Sequence, residues 1–223
     1  MHTNDHSTAD TLEGTPDRSM TLEEIRDVYA EQADWMDRMH WLDRPLMGRY
    51  RRRLFGTARG RVLDVACGMG TNRRYLPESV EYVGIDVSPE MLSKARDRIQ
   101  PTDPDATFRN MDAQALEFPA DSFDTVISSL STCTFPDPIA ALQEMERVCK
   151  PNGRILLLEH GRSDVGAIAR VQDWRADAHF EKHACRLNQE PVALARRAGL
   201  DVRATVTRLF GILTAIDARP GKH

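Results

Sequence analysis

The sequence predicts an α/β fold in which a mostly parallel sheet carries helices on both faces, and three observations predict it. Residues 62–66 form an apolar run that leads into Gly68 and Gly70, the pattern of a buried strand followed by a tight turn and a helix from about Thr71. Three successive strands are each followed by an acidic residue. Residues 201–206 and 211–216 are strand-like runs separated by a short turn, which predicts a closing antiparallel hairpin.

Length and composition limit the function. The 223 residues suffice for one domain with a sizeable core, and the net charge of -4 gives no basic footprint for nucleic acid. Because no apolar run reaches a membrane span and no signal-peptide core is present, we expect a cytoplasmic protein, with contact to a membrane surface and the oligomeric state left open. The four cysteines include no C-x-x-C pair, so neither a disulfide framework nor a zinc ribbon is predicted.

The N-terminal part predicts a tail and a helical cap. Residues 1–20 are polar and predict a disordered tail, so the domain is expected over 21–223 with cap helices over 21–57. Thr21 and Glu24 form a capping box, and the helix that they begin is available to cover a ligand. The basic run Arg49–Arg53 is interpreted as a solvated face, the alternative being contact with an anionic substrate or lipid headgroups.

The glycine turn raises the question of its ligand. Dinucleotide folds place G-x-G-x-x-G here, but Arg73 stands at the third glycine position. Asp64 at the strand end would repel a pyrophosphate and attract an ammonium group. S-adenosylmethionine carries an ammonium and no phosphate, so Asp64 favours it over NAD, while a purely structural glycine turn remains the alternative.

The next two strands add two acids. Asp86 ends the second strand, where a carboxylate can accept hydrogen bonds from both ribose hydroxyls. Ser88 and Pro89 then predict a helix start as N-cap and first helical residue. Asp112 follows the third strand, where it can bind the adenine amino group.

Four segments carry a family resemblance: LDVACGMG, VGIDVSPEML, NMDAQALEFPADSFDTVISS and ERVCKPNGRILLLEH. Their order and spacing resemble those of class I S-adenosylmethionine-dependent methyltransferases, the class of the ubiquinone and menaquinone C-methyltransferases. The resemblance implies a Rossmann-like, seven-stranded sheet and S-adenosylhomocysteine as product. YAEQADWMD resembles the family's lid segment, with Met36 at its second tyrosine and Trp35 beside it to compensate. The implied cofactor-binding residues are Tyr29, Asp64, Ala66, Gly68, Gly70, Asp86, Met91, Asp112, Ala113 and Ser129.

The acceptor side is expected in two later loops. The loop after the fourth strand, residues 130–138, faces the transferable methyl group, and His160 at the end of the fifth strand can act as a general base or as a structural histidine. CTFPDP, LLLEHGRS and HFEKHACRLNQE resemble a sub-branch with mitochondrial Oms1-type and thiol methyltransferases. The implied substrate-side residues are Cys133, Glu159, His179, His183 and Asn188.

Two of these assignments have simpler alternatives. Cys133 can equally be a small buried hydrophobe. His179, His183 and Cys185 have a spacing that could ligate a metal, but no fourth ligand is evident, so we predict a packed helix face and no metal site.

The sequence therefore predicts an enzyme that moves a methyl group from S-adenosylmethionine to a small, partly apolar acceptor, such as a thiol, a phenol or a quinone precursor. The alternative is a non-catalytic S-adenosylmethionine-binding protein with an assembly or regulatory role. An NAD-dependent oxidoreductase is disfavoured by Asp64 and Arg73.

Overall fold

A seven-stranded sheet forms the centre of the computed structural model, which describes residues 20–221. The strand order is β3-β2-β1-β4-β5-β7-β6, and β7 alone among these strands runs antiparallel to its neighbours. This confirms the predicted parallel sheet with a closing hairpin. The strands are β1 (Arg61–Val65), β2 (Glu81–Asp86), β3 (Thr107–Asn110), β4 (Phe123–Ser129), β5 (Cys149–His160), β6 (Asp201–Arg208) and β7 (Leu213–Arg219).

The described residues form six α-helices, of which the first two precede β1: α1 (Leu22–Met39), α2 (Asp43–Phe55), α3 (Pro89–Ile99), α4 (Pro138–Val148), α5 (Gly166–His183) and α6 (Pro191–Arg197). Local capping explains where several begin. Thr21 and Glu24 form the predicted capping box of α1, and the Ser88 hydroxyl accepts from the Met91 amide at the start of α3. Asp137 caps α4 in the same way.

One local prediction was wrong. Instead of an α-helix from Thr71, the chain makes a single 3₁₀ turn, Thr71–Tyr75, and returns to an extended backbone at Leu76. Pro77 explains the difference, because the residue before a proline is disfavoured in the helical conformation. The glycine turn therefore leads into a short turn without a helix N-terminus that could bind a ligand.

Helices cover both faces of the sheet, as predicted. Leu63 and Val65 of β1 pack in one apolar cluster with α4 and α6 residues, while Val62 points to the other face and packs with α2 and α3 residues. Strands buried on both faces explain the near-continuous apolar runs of the sequence. None of the helices within residues 20–221 combines the length and the apolar composition needed to cross a membrane.

The strand register places the ends of the strands side by side. Val65 pairs with Ile85 and with Ser128, and Ser129 pairs with Leu158. The residues that follow β1, β2, β4 and β5 therefore meet at one edge of the sheet, where open α/β sheets bind ligands. The predicted disordered tail falls almost entirely on residues 1–19, which lie outside the described part of the chain.

Candidate functional site

A cavity of about 1070 Å³, its mouth included, lies at this edge of the sheet. Eight of the ten predicted cofactor-binding residues line the cavity, namely Tyr29, Ala66, Gly68, Asp86, Met91, Asp112, Ala113 and Ser129. The strand ends thus bring together residues that lie up to 100 positions apart in the chain, from Tyr29 to Ser129.

The two glycines of the turn differ in their roles. Gly68 has φ +54° and lines the cavity, and a Cβ atom added there would meet nothing within 4 Å. Its amide donates to Asp86 Oδ2 at 2.8 Å. Gly70 has φ +71°, and a Cβ there would collide with Ile99 of α3. Gly70 therefore packs closely against α3 and does not line the cavity, and its contact with a cofactor stays a prediction.

Asp86 is fixed at the cavity wall by backbone amides. Besides the bond from Gly68, its Oδ1 accepts from the Ser88 amide at 2.9 Å. Burial raises the pKa of this carboxyl, although the amide bonds oppose the shift. Each carboxylate oxygen can accept a second hydrogen bond, so Asp86 retains acceptor capacity toward a ligand.

Asp64 lies behind the cavity instead of lining it. Its side chain is fully buried and accepts from the Tyr82 hydroxyl at 2.7 Å and from Asn72 Nδ2 at 2.9 Å. Asn72 stands at the cavity wall and Asp64 holds it, while direct contact of Asp64 with an ammonium group stays a prediction. A 3₁₀ turn in place of the expected helix brings Asn72 there.

Arg51 is a cavity residue that the sequence analysis missed. It belongs to the basic run that we interpreted as a solvated face, and Arg49, Arg52 and Arg53 are indeed exposed. Arg51 itself is only 6% exposed, and its guanidinium donates to Asn72 and to the Ser129 hydroxyl. The one sequence signal for this buried arginine was the helical period of α2, which directs one residue of an arginine run toward the protein interior.

Asp64 makes stability depend on pH. Burial raises its pKa to about 6, although the bonds from Tyr82 and Asn72 lower it. The folded state then holds this proton up to a higher pH than the unfolded state, so the associated stability is present below about pH 4 and is lost as the pH rises through 6.

We therefore expect the wild type to lose about 2 to 3 kcal/mol of stability relative to Asp64→Asn between pH 4 and pH 7. Urea unfolding of both proteins across this range measures the difference, and exposed Asp97→Asn on α3 is the control. If the stabilities of wild type and Asp64→Asn change in parallel between pH 4 and pH 7, the pKa of Asp64 is not raised in the folded protein.

Helix α1 covers the cavity. Leu22, Ile25, Tyr29 and Met36 line it from this helix. Trp35 is 63% exposed and points away, which corrects the idea that it compensates for Met36. Burial raises the pKa of Tyr29, and the neighbouring Cys133, Cys185 and Asp86 raise it further.

His160 lies in a cluster with two cysteines. Its Nε2 is 3.0 Å from the Cys133 sulfur and 3.2 Å from the Cys185 sulfur, and the two sulfurs are 3.5 Å apart. His160 is not among the residues that line the cavity, because its ring is turned toward these sulfurs. Its role as a general base stays a prediction, and it would require the ring to leave the cluster.

Glu159 is a buried anchor in this structure, and its assignment as a substrate residue stays a prediction. Its side chain is fully buried, and Oε2 accepts from the amides of Ser131 and Thr132 at 3.0 and 3.2 Å. Burial raises its pKa to about 7. The carboxyl therefore holds the loop that carries Cys133.

The other predicted substrate residues lie on or after α5. His179 and His183 stack with ring centroids 4.6 Å apart, and Asn188 Nδ2 donates to Asp173 at 3.2 Å. None of these residues lines the cavity. The His179, His183 and Cys185 set is thus divided: Cys185 joins Cys133 and His160, while His179 and His183 contact each other on α5.

Comparison with known families matches this architecture. Residues 63–157 match the family model of a methyltransferase domain, and they include β1, the glycine turn, Asp86 and most of β5. This part of the chain is similar to a methyltransferase domain.

The curated proteins to which this chain is similar have several acceptors in their names. Phosphatidylethanolamine N-methyltransferase of Cereibacter sphaeroides is 37% identical over 124 residues, 55% of this chain and 60% of that protein. The ubiquinone/menaquinone biosynthesis C-methyltransferase UbiE of Geobacter sulfurreducens is 34% identical over 64% of this chain and 63% of its own length. The mitochondrial methyltransferase OMS1 of Saccharomyces cerevisiae is 27% identical over 72% of this chain and 38% of its length. The chain spans less than two thirds of each relative.

Solved structures confirm the fold. The methyltransferase in a complex with the Haloferax volcanii Trm112 activator superposes with a TM-score of 0.70 at 22% identity, covering 91% of this chain and 99% of that one. A methyltransferase from Thermotoga maritima gives 0.68 at 19% identity, with 89% and 100% covered. At these identities the likeness establishes the fold alone.

Proposed function

We propose that the protein is an enzyme that transfers a methyl group from S-adenosylmethionine to a small, partly apolar acceptor. The observation that carries this proposal is the open space over Gly68 beside the Asp86 carboxylate, inside a methyltransferase domain. A ligand can lie directly on the backbone there, because no side chain occupies the space.

The residues around the cavity suit the parts of this cofactor. The Asp86 carboxylate can accept from ribose hydroxyls, and Asp112 with Ala113 lines the wall where the adenine is expected. Asn72, held by Asp64 and Arg51, offers a polar group for the methionyl end. The bound sulfonium supplies an activated methyl group, so the protein has mainly to align donor and acceptor.

The acceptor class follows from the remaining lining. Tyr29, Phe135 and Pro136 give the cavity an apolar side, which suits a thiol, a phenol or a quinone precursor. The names of relatives support this range, since they include a demethylmenaquinone methyltransferase and a 2-methyl-6-phytyl-1,4-hydroquinone methyltransferase. The first relative adds phosphatidylethanolamine to the acceptors that should be tested.

A turnover assay tests the proposal. The purified protein would be incubated with S-adenosylmethionine and one acceptor at a time from four classes: thiols, phenols, demethylated quinones and phosphatidylethanolamine in vesicles. Acceptor-dependent formation of S-adenosylhomocysteine is the expected result. Calorimetric binding of the cofactor without turnover on any class would instead favour the non-catalytic binding role.

Asp86→Ala should weaken S-adenosylmethionine binding by about 1.5 to 3 kcal/mol, since hydrogen bonds to a charged group are lost. The change also leaves the Gly68 amide without its acceptor. Isothermal titration calorimetry measures the effect, with Asp97→Ala, an exposed acid on α3, as the matched control. Equal affinity of wild type and Asp86→Ala would remove Asp86 from the site.

A further inference from the structure

Three potential metal ligands from separate segments meet at one point next to the cavity. Cys133 lies in the loop after β4, His160 at the end of β5 and Cys185 just after α5. Their two sulfur atoms and one ring nitrogen all lie within 4.8 Å of one another, and the measured separations are 3.0, 3.2 and 3.5 Å. Among residues 20–221 this is the one group of three such side chains close enough to share an ion.

The spacing of these atoms suits a small soft cation. Zinc binds cysteine sulfur at about 2.3 Å and histidine nitrogen at about 2.0 to 2.1 Å, so neighbouring ligand atoms of a tetrahedral site lie roughly 3.5 to 3.8 Å apart. The observed triangle is smaller by a few tenths of an ångström. Small side-chain rotations would therefore open the triangle around an ion, with no change of backbone.

The backbone around the cluster is fixed by contacts of its own. The Arg186 amide donates to the Cys133 carbonyl at 3.0 Å, which ties the segment of Cys185 to the loop of Cys133. Glu159 holds the same loop through the Ser131 and Thr132 amides. Ligands held on rigid backbone lose little entropy when an ion binds.

We propose that Cys133, His160 and Cys185 bind a divalent thiophilic cation of the zinc class, with its fourth position open to a thiol acceptor. Two cysteines, one histidine and an exchangeable fourth ligand form a set that catalytic zinc sites use. Two thiolates balance the charge of the ion.

The site lies beside the cavity proposed for the methyl donor. Ser131 and Thr134, on either side of Cys133, line that cavity. The acceptor role rests on the proposed function. A thiol bound to the ion releases its proton to solvent, and its sulfur electron pair forms a bond to the methyl carbon. The bond from this carbon to the sulfonium breaks, and its electron pair stays on S-adenosylhomocysteine.

Metal binding can be tested without activity. The reduced protein would be loaded with Zn²⁺ or Co²⁺, freed of excess metal by gel filtration and analysed by mass spectrometry for metal content. We expect about one ion per chain, and for cobalt a thiolate charge-transfer band with tetrahedral d–d intensity. Cys185→Ser and Cys133→Ser should each lower the affinity at least tenfold against a chromophoric chelator. Cys149→Ser, a buried cysteine in β5 outside the cluster, is the matched control.

Three outcomes would overturn the metal site. These are a wild type that retains no metal, the same metal content in wild type and folded cluster variants, or equal loss in Cys149→Ser. Thermal melting of each variant identifies those that are folded. If one cysteine variant does not fold, the variant His160→Ala tests the metal site in its place.

Binding of an acceptor thiol at the fourth position of the ion can be measured separately. Adding a small thiol such as 2-mercaptoethanol to the cobalt-loaded protein should intensify the charge-transfer band, because a further thiolate joins the ion. An unchanged spectrum would refute the acceptor position even if the metal site holds. Absence of methyl transfer in the turnover assay would contradict the proposed function and leave these metal measurements intact.

Discussion

Gly68→Val is expected to abolish S-adenosylmethionine binding while the protein stays folded. A valine side chain would extend into the cavity, where a Cβ at this position has nothing within 4 Å. The positive φ of +54° adds a strain of roughly 1 to 2 kcal/mol, which a domain of ordinary stability tolerates. Calorimetry should detect no binding at cofactor concentrations that saturate the wild type.

Gly166→Val is the matched control for this variant. Gly166 begins α5, and a Cβ there also meets nothing within 4 Å, but it lies away from the cavity. Its cofactor affinity should equal that of the wild type. If a folded Gly68→Val protein binds the cofactor normally, the ligand does not lie on this turn, and the proposed function loses the observation that carries it.

Glu159→Ala is expected to lower the free energy of unfolding by about 2 to 5 kcal/mol. The substitution leaves two buried amides, those of Ser131 and Thr132, without their acceptor, and each unsatisfied buried group costs about 1 to 3 kcal/mol. It also removes buried side-chain volume. Urea unfolding monitored by circular dichroism measures the loss.

Glu159→Gln separates this anchoring role from a role of the charge. The amide carbonyl can still accept from both backbone groups, so most of the lost stability should return. Equal destabilisation by alanine and glutamine would show that the carboxylate charge, and not the acceptor geometry, holds the loop.

Much of the fold was accessible from the sequence because its signals are local. The predicted fourth strand, residues 123–129, coincides with β4, and the N-caps of α1 and α3 lie at Thr21 and Ser88 as expected. Apolar periodicity and capping act within a few residues, so they can be recognised without the tertiary structure. The helix predicted from Thr71 does not form, because Pro77 disfavours the helical conformation of the residue before it.

The cofactor side of the site was also largely determined by the sequence. Gly68 and Asp86 follow adjacent parallel strands, and parallel strands end at the same edge of a sheet, so their meeting follows from the strand order. Asp64 was placed at the right strand end, yet the direction of its side chain was not predictable. A strand alternates its faces, and only packing decided that Asp64 bonds to Tyr82 and Asn72.

The tertiary structure alone decided the grouping of Cys133, His160 and Cys185. The sequence set Cys185 beside His179 and His183 because they are neighbours along the chain. The fold takes it to Cys133, 52 positions away, where the Arg186 amide bonds to the Cys133 carbonyl. The same holds for Arg51, which reaches Ser129 across 78 positions. Contacts of this range depend on the register of the sheet and on where α2 and α5 pack against it, and no local pattern of residues encodes these.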